Sequence, residues 1–365
     1  MMAGQPKAAA ECVGAPKSLS ISVAMATYNG AKYIGQQLDD LAAQTFLPAE
    51  LIVCDDQSSD DTLAAVEDFA ASAPFPVHVH RNPERLGYRA NFMKAAGLCS
   101  SDLIAFCDQD DRWNARKLEL LSEPFSDDDV LLAYHNARPV TDRGRILPLL
   151  YRGRLKRKYG PLAVDPWPNP MGFTQAFRRS LLRFAEFWPQ SSDQNHKGER
   201  LAHDQWYFFL ASALGSIMYV PTVLADYRQH GANVYGMSWY RTLAPQLNEL
   251  WHATHKRKLR LDAAERRAHI FRQLSQRLTG KLQDRANEAA AWYEQLVSLG
   301  RMRAEVYDAL SMGERMAALG RLVRAGGYGS RAPEFSRLTL AMDVAIGVTG
   351  LFPRVESITR RLARR

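Results

Sequence analysis

Three aspartates, Asp108, Asp110 and Asp111, fall within four positions of the stretch AFCDQDDRW, directly after the apolar run LIAFC. Carboxylates packed this closely repel one another unless water or a cation screens them. An Asp-x-Asp pair at a strand end offers the hard oxygen atoms that hold Mg2+ or Mn2+, ions that complete their shell with water and substrate phosphate. A purely local reading competes with this one: Asp110 or Asp111 caps a helix beginning near Trp113. A second acidic pair, Asp55 and Asp56, opens the stretch DDQSSDDT. Carboxylates there can accept hydrogen bonds from a nucleobase N–H or ribose hydroxyls, or can serve a turn and helix cap. Asp204, in HDQWYFFLASALG, reads equally as a general base or as the N-cap of a helix over 204–214.

The elements that must position these groups alternate regularly. ISVAMATYN (21–29) reads as a strand, followed by a helix whose inner face carries Ile34, Leu38 and Leu41. LIVCDD is a second strand, with a helix marked by Leu63, Val66 and Phe69 behind it. VHVHRN (77–82) is a third strand, 87–99 a third helix, and LIAFC (103–107) a fourth strand that ends at the acidic cluster. Such alternation predicts parallel strands with helices on both faces, and a ligand site beyond the strands' carboxyl ends. Thr27, Tyr28, Asn29, Asp55, Asp56, the Arg81–Arg85 loop and Asp108–Asp111 would then share one edge. No GxGxxG follows the first strand and no Walker-type phosphate loop occurs, which argues against a dinucleotide-binding dehydrogenase and a P-loop enzyme.

Further along, 124–170 is rich in Pro, Gly and Arg and reads as irregular apart from a strand at 130–134. Residues 169–182 read as a turn and strand leading to a helix, 203–215 as a helix, and 217–231 as a strand pair with a basic exit. From about 240 the chain reads as helical. The formal charge of +8 belongs to that last third: residues 241–365 carry 23 Lys/Arg against 12 Asp/Glu. Such a segment suits an anionic partner or is a solvated helical face. The stretch 338–352, which contains Asp343, reads as a core helix in competition with an interfacial one. The four cysteines lack CxxC spacing, which favours a reducing compartment. Residues 1–18 read as a disordered segment without a signal peptide, and no stretch is long and apolar enough to span a membrane. The expected location is the cytoplasm, with peripheral contact at the inner face of the plasma membrane.

SVAMATYNG, IVCDDQSSDDT, RLGYRANFMKA and CDQDDRWNARKL, taken together and in this order, resemble the family-two glycosyltransferases. The DQDDRW form, HDQW and YRQHGANVYG look most like the bacterial rhamnosyltransferase-type branch. The resemblance runs from about 20 to 236. It implies an α/β fold of the GT-A type, a Rossmann-like mixed sheet, over 19–238, with a basic helical extension over 239–365. It implies a nucleotide-diphosphate sugar donor, dTDP-rhamnose ahead of a UDP-sugar, and a glycan or lipid-linked acceptor in cell-surface polysaccharide synthesis. The rival of another class is a non-catalytic nucleotide-sugar or glycan-binding protein on the same fold. Nucleic acid is not an expected partner.

Residue by residue, the resemblance implies a donor pocket of Thr27, Tyr28, Asn29, Asp55, Asp56, Arg85, Asn91, Asp108 and Gln109. Asp108, Asp110 and His230 are the implied ligands of Mg2+ or Mn2+, and Asp204 the implied base of an inverting transfer. Two positions depart from the pattern: His203 stands where Glu or Asp is common, and no proline follows the metal motif. Trp113, Trp167, Trp206 and Trp239 are candidate sugar platforms, with apolar packing expected for at least two.

Overall fold

The computed structural model describes residues 19–153, 155–231, 256–329 and 337–350. The 1–18 segment, Trp239, the 238/239 boundary and the part of YRQHGANVYG after Gly231 lie outside the described residues. Four strands, β1 (Ile21–Thr27), β2 (Glu50–Asp55), β3 (Val77–Arg81) and β4 (Leu103–Asp108), pair in parallel in the order β3-β2-β1-β4. Their side chains alternate as a strand's two-residue period requires. Val23 and Met25 face α1 (Ala31–Ala42), while Ala24, Ile52, Ile104 and Phe106 face α3 (Gly87–Leu98). Between these strands, α2 (Thr62–Ala70) completes the alternation.

Beyond β4 the sheet turns mixed. A two-residue β5 (Arg112–Trp113) is followed by α4 (Lys117–Ser122), β6 (Val130–Thr141), the short β7 (Lys158–Tyr159) and β8 (Gln175–Arg178). Then come α5 (His203–Leu214) and β9 (Ser216–Gln229). The full order is β3-β2-β1-β4-β8-β6-β9-β5, with β7 on β9; β8 runs antiparallel to β4 and β6, and β6 is parallel to β9.

Three local expectations are corrected here. No helix starts near Trp113: Arg112 and Trp113 pair with Asp226 and Ala225, so Asp110 and Asp111 cap nothing and the helix waits until Lys117. Residues 217–231 hold one long strand rather than a pair, because the irregularity around Pro221 is absorbed by register shifts against His135–Ala137. After β8 the chain forms the 3-10 segment Arg179–Gln190 instead of an α-helix.

Helices α6 (Arg257–Arg277), α7 (Gly280–Asp308) and α8 (Met312–Arg324) continue the core instead of standing apart. Phe209 of α5 meets Phe271 and Tyr293 at ring-centre distances of 4.8 and 6.0 Å. Buried Arg267 donates to the Pro166 carbonyl and to Gln194 Oε1 at 2.8 and 2.9 Å. Asp129, ahead of β6, binds Arg285 and Lys281 at 2.7 and 2.9 Å. The last described segment, α9 (Arg337–Met342) with the π-helical Asp343–Val348, turns Met342, Asp343 and Val348 inward and leaves Val344 exposed; residues 351–352 of the apolar stretch lie outside the described residues. Asp343 is sealed inside, accepting from Arg303, Tyr307 and Tyr328, and Val348 packs with Val306, Ala318 and Leu319. Among the described residues, no helix is long and apolar enough to cross a membrane.

Candidate active site

Strand register sets the acidic edge. Thr27 lies opposite Asp55 on β2, and Ala26 opposite Asp108 on β4, so three adjacent strands end side by side. Thr27 Oγ1 donates to Asp55 Oδ2 at 2.9 Å, and the Ser58 backbone N–H to Asp55 Oδ1 at 2.9 Å. Asp55 therefore fixes the floor of the edge. Asp56 accepts from Asn82 Nδ2 and the Leu86 N–H on Oδ1, at 2.9 and 2.7 Å, and from the Gly87 N–H on Oδ2 at 2.8 Å. A carboxylate bound to two N–H groups at the start of α3 is favoured there by the helix dipole. Asn91 completes this clamp, accepting from Asn82 and donating to the Cys54 carbonyl at 2.9 and 2.8 Å. Asp55, Asp56 and Asn91 are buried and hydrogen-bonded, so they shape the pocket wall.

The exposed part of the pocket is Tyr28 and Arg85, the guanidinium lying 3.7 Å from the ring centre. Gln109 holds the Tyr28 backbone from both sides, accepting from its N–H and donating to its carbonyl at 3.0 Å each. A Cβ on Gly30 would meet the Gln109 amide, so a larger residue there would have to move Gln109 off the Tyr28 backbone. Asn29 takes a left-handed φ of 46° and its Oδ1 accepts from the Ser59 N–H at 2.8 Å, tying the β1 loop to the β2 loop.

In the Asp cluster the three carboxylates have different surroundings. Asp108 and Asp110 keep some accessible surface, whereas Asp111 is sealed. Burial, then the charges of Asp110 and Asp204, push the Asp108 carboxyl up to about 7. Asp111 is raised well above the usual carboxylate range by burial and then by the charges of Asp110 and Asp108. Its Oδ1 accepts from the Arg228 N–H at 3.2 Å, and its Oδ2 has no partner among the described residues. The buried counter-charge is Lys117, which donates to the Phe173 carbonyl at 2.7 Å and stands 3.3 Å from the Trp113 ring centre. Burial holds its ammonium down at about 7 against the pull of Cys107, Asp111 and Asp108. His230 Nε2 meets Asp110 Oδ2 at 2.7 Å, and its ring stacks on Tyr33 at 4.7 Å.

This donor set fits a hard divalent cation: partly accessible oxygens of Asp108 and Asp110, each repelling the other, with only Lys117 buried beside them. Among the described residues no three His, Cys, Asp or Glu side chains converge as a closed metal cage. A cation held by Asp108 and Asp110 would therefore take most of its shell from diphosphate and water. The structure brings His230 to Asp110 as a hydrogen-bond partner.

Asp204 sits in the first turn of α5; the N-cap is Ala202, so the capping role is not its own. Its Oδ1 accepts from the Gln205 N–H at 2.8 Å and its Oδ2 from Asn169 Nδ2 at 3.0 Å. Burial is the main cause that raises this carboxyl to about 6, with those two bonds and Arg89 opposing it. His203 turns inward instead, stacked on Phe92 at 4.0 Å and held neutral by burial down to about 3. A Cβ on Gly172 would come within 2.6 Å of His203 Nε2 and 3.4 Å of Asp204 Cβ. Gly172→Ala should push the His203 ring aside and, through the shared backbone of the first turn, shift Asp204, lowering kcat by up to about 10²-fold, the cost of a misplacement near 1 Å. Nucleotide affinity should be unchanged; steady-state kinetics beside a nucleotide titration checks both.

Sequence reasoning missed Lys117, Asn169 and Arg89. Lys117 follows the Asp cluster in an ordinary-looking helix start, and nothing in its neighbours signals full burial. Arg89, whose guanidinium meets Asp193 at 2.8 Å, joins α3 to the loop before Asp204. Trp113, Trp167 and Trp206 are all buried as packing groups, so none is a sugar platform.

Residues 22–185 match the family model of glycosyl transferase family 2. Over that stretch the chain is similar to family-two glycosyltransferases, and its mixed α/β sheet has the GT-A-type fold, continued by C-terminal helices. It is 26 % identical over 223 residues to the uncharacterized glycosyltransferase alr2836 of Nostoc sp., covering 59 % of this chain and 66 % of that one. It therefore spans just under two thirds of that relative. It is also 26 % identical over 248 residues to the dTDP-rhamnosyl transferase RfbG of Shigella flexneri, covering 64 % and 83 % of the two chains. Among solved structures, residues 1–349 of S. aureus TarS in complex with UDP share the fold, with a TM-score of 0.52, 19 % identity and 94 % and 92 % coverage.

Proposed function

We propose that this chain transfers a sugar from a nucleoside diphosphate donor to a hydroxyl of a glycan or lipid-linked acceptor, with inversion, in bacterial envelope polysaccharide synthesis. The observation that carries the reading is Asp204: a partly accessible carboxylate, raised to about 6, whose charge is felt by Asp108 at the strand edge. Near neutral pH such a carboxylate is ionised yet more basic than a solvated one, which suits a general base. Asn169 and the Gln205 N–H hold it in one orientation, so its proton-accepting oxygen keeps a fixed line to the acceptor hydroxyl. A single base facing the anomeric carbon from the acceptor side implies direct displacement.

On the donor side, Tyr28 and Arg85 supply a face and a cation for the nucleoside and its phosphates. Asp56 and Asn91 hold the wall behind them. Asp108 and Asp110 would hold Mg2+ or Mn2+, which when bound supplies Lewis-acid neutralisation of the leaving diphosphate. The likeness to a dTDP-rhamnosyl transferase over 64 % of the chain supports dTDP-rhamnose as the donor.

Thermal unfolding with dTDP, UDP, GDP and CDP, each with Mn2+ and with EDTA, tests this. A ligand at a hundred times its Kd adds about 2.7 kcal/mol to stability. The expected result is stabilisation by dTDP that Mn2+ enhances. Stabilisation by another nucleotide changes the donor, and none by any of the four sinks the transferase reading in favour of a glycan-binding protein on this fold.

A further inference from the structure

A cleft of about 780 Å³ opens between the 148–155 segment and strands β6 and β9, within the usual size range of small-molecule sites. Its walls are Pro148, Leu149, Arg152, Gly153, Leu155 and Pro221, with the rings of Tyr151 and Tyr219 and the Asn136 side chain at its base. The polar groups of that base are already engaged. Asn136 Nδ2 donates to the Tyr151 carbonyl and to Tyr219 Oη at 2.8 and 3.0 Å, and its Oδ1 accepts from the Ala137 and Tyr151 N–H groups. Tyr151 Oη accepts from the Met171 N–H at 2.9 Å. A sugar ring would find few vacant hydrogen-bonding groups here, whereas a hydrocarbon would find carbon on most sides.

The rim points the same way. Ile146, Leu149 and Leu155 are 60, 38 and 36 % exposed, an unusual density of large apolar groups for one short surface segment. Exposed Arg152 lines the cleft itself, and Arg145, Lys156 and Arg157 are exposed on the chain to either side of it, while Lys158 is bound to Asp127 at 2.6 Å. Cations beside an apolar slot complement an anionic amphiphile. The cleft is also coupled to the reaction centre. Met171, whose N–H binds Tyr151, is two residues after Asn169, which donates to Asp204; burial chiefly, with a smaller part from the Asp204 charge, holds the Tyr151 phenol proton.

We propose that this cleft seats the hydrocarbon chain of a lipid phosphate that carries the acceptor sugar, with Arg145, Lys156 and Arg157 facing its phosphate. This rests on the transferase reading and narrows its acceptor to the lipid-linked class. It also places the lipid contact on the 145–157 surface instead of on the C-terminal helices.

The test is calorimetric titration of the full-length chain with farnesyl phosphate below its micelle threshold, beside farnesol, inorganic phosphate and dTDP with Mn2+. Farnesyl phosphate should bind, farnesol more weakly, and inorganic phosphate not at all. Leu155→Asp and Leu149→Asp, both at exposed positions, should each weaken farnesyl phosphate by about tenfold or more, the scale of one leucine's burial. Neither should change dTDP binding. Lys156→Glu combined with Arg157→Glu should weaken farnesyl phosphate and leave farnesol unchanged. Farnesyl phosphate affinity that is absent, or equal in wild type and both leucine variants, overturns the lipid site. If dTDP still binds in that case, the transferase reading survives it. Binding of inorganic phosphate as tight as farnesyl phosphate would make the rim a free-phosphate site and also overturn the proposal.

Discussion

Replacing Asp204 with asparagine should leave nucleotide binding intact and lower kcat by about 10²–10⁴-fold, the usual contribution of a positioned general base. The substitution is nearly isosteric, and the amide oxygen can still accept from the Gln205 N–H or from Asn169. What is lost is the ability to take a proton. The wild-type rate should rise with pH through about 6, because below that value the buried carboxyl is protonated and cannot act as a base. In Asp204→Asn that limb should disappear from the pH profile. Stability moves the other way. A carboxyl raised from 3.8 to about 6 in the folded chain favours folding fully only below 3.8. That contribution is lost as pH rises through 6. Asp204→Asn should therefore be at least as stable as wild type at pH 8. A variant that is less stable but turns over normally would make Asp204 a structural residue of the first helical turn.

Much of this site was legible because a parallel strand ends where its apolar run ends. ISVAMAT finishes on Thr27, LIVC and LIAFC are each followed at once by an aspartate, and register alone then sets Thr27, Asp55 and Asp108 side by side. What escaped the sequence was pairing between distant segments. The capping alternative for Asp110 or Asp111 fails because Arg112 and Trp113 pair with β9, more than a hundred residues away. The same strand brings Arg228 onto Asp111, which no local pattern announces, and its end brings to Asp110 the His230 that the family resemblance had grouped with it. Lys117 belongs to this class too: a lysine at a helix start is ordinarily solvated, and only the tertiary fold turns it beneath the carboxylates. Packing, expected for at least two of the four tryptophans, is the role of Trp113, Trp167 and Trp206, since aromatic rings near a sugar-binding motif serve packing as readily as stacking.

The second large effect should come from Asp110→Ala. Without a divalent cation, Asp108 and Asp110 oppose a diphosphate, so removing one charge should leave nucleotide affinity unchanged or slightly higher. With Mn2+, the wild-type chain should gain affinity that the variant fails to gain, a deficit of at least about tenfold, or 1.4 kcal/mol. The two titration curves should therefore cross between EDTA and Mn2+. A structural role gives a different pattern: Asp110 also receives His230, whose ring stacks on Tyr33, and loosening that stack would weaken nucleotide binding equally in both conditions. His230→Gln separates the two causes, since it disturbs the stack while keeping both carboxylates. If His230→Gln retains the Mn2+ response that Asp110→Ala loses, the carboxylate itself is the cation's ligand. If the two variants fail alike with and without Mn2+, the cluster's negative charge serves to anchor His230 and the end of β9.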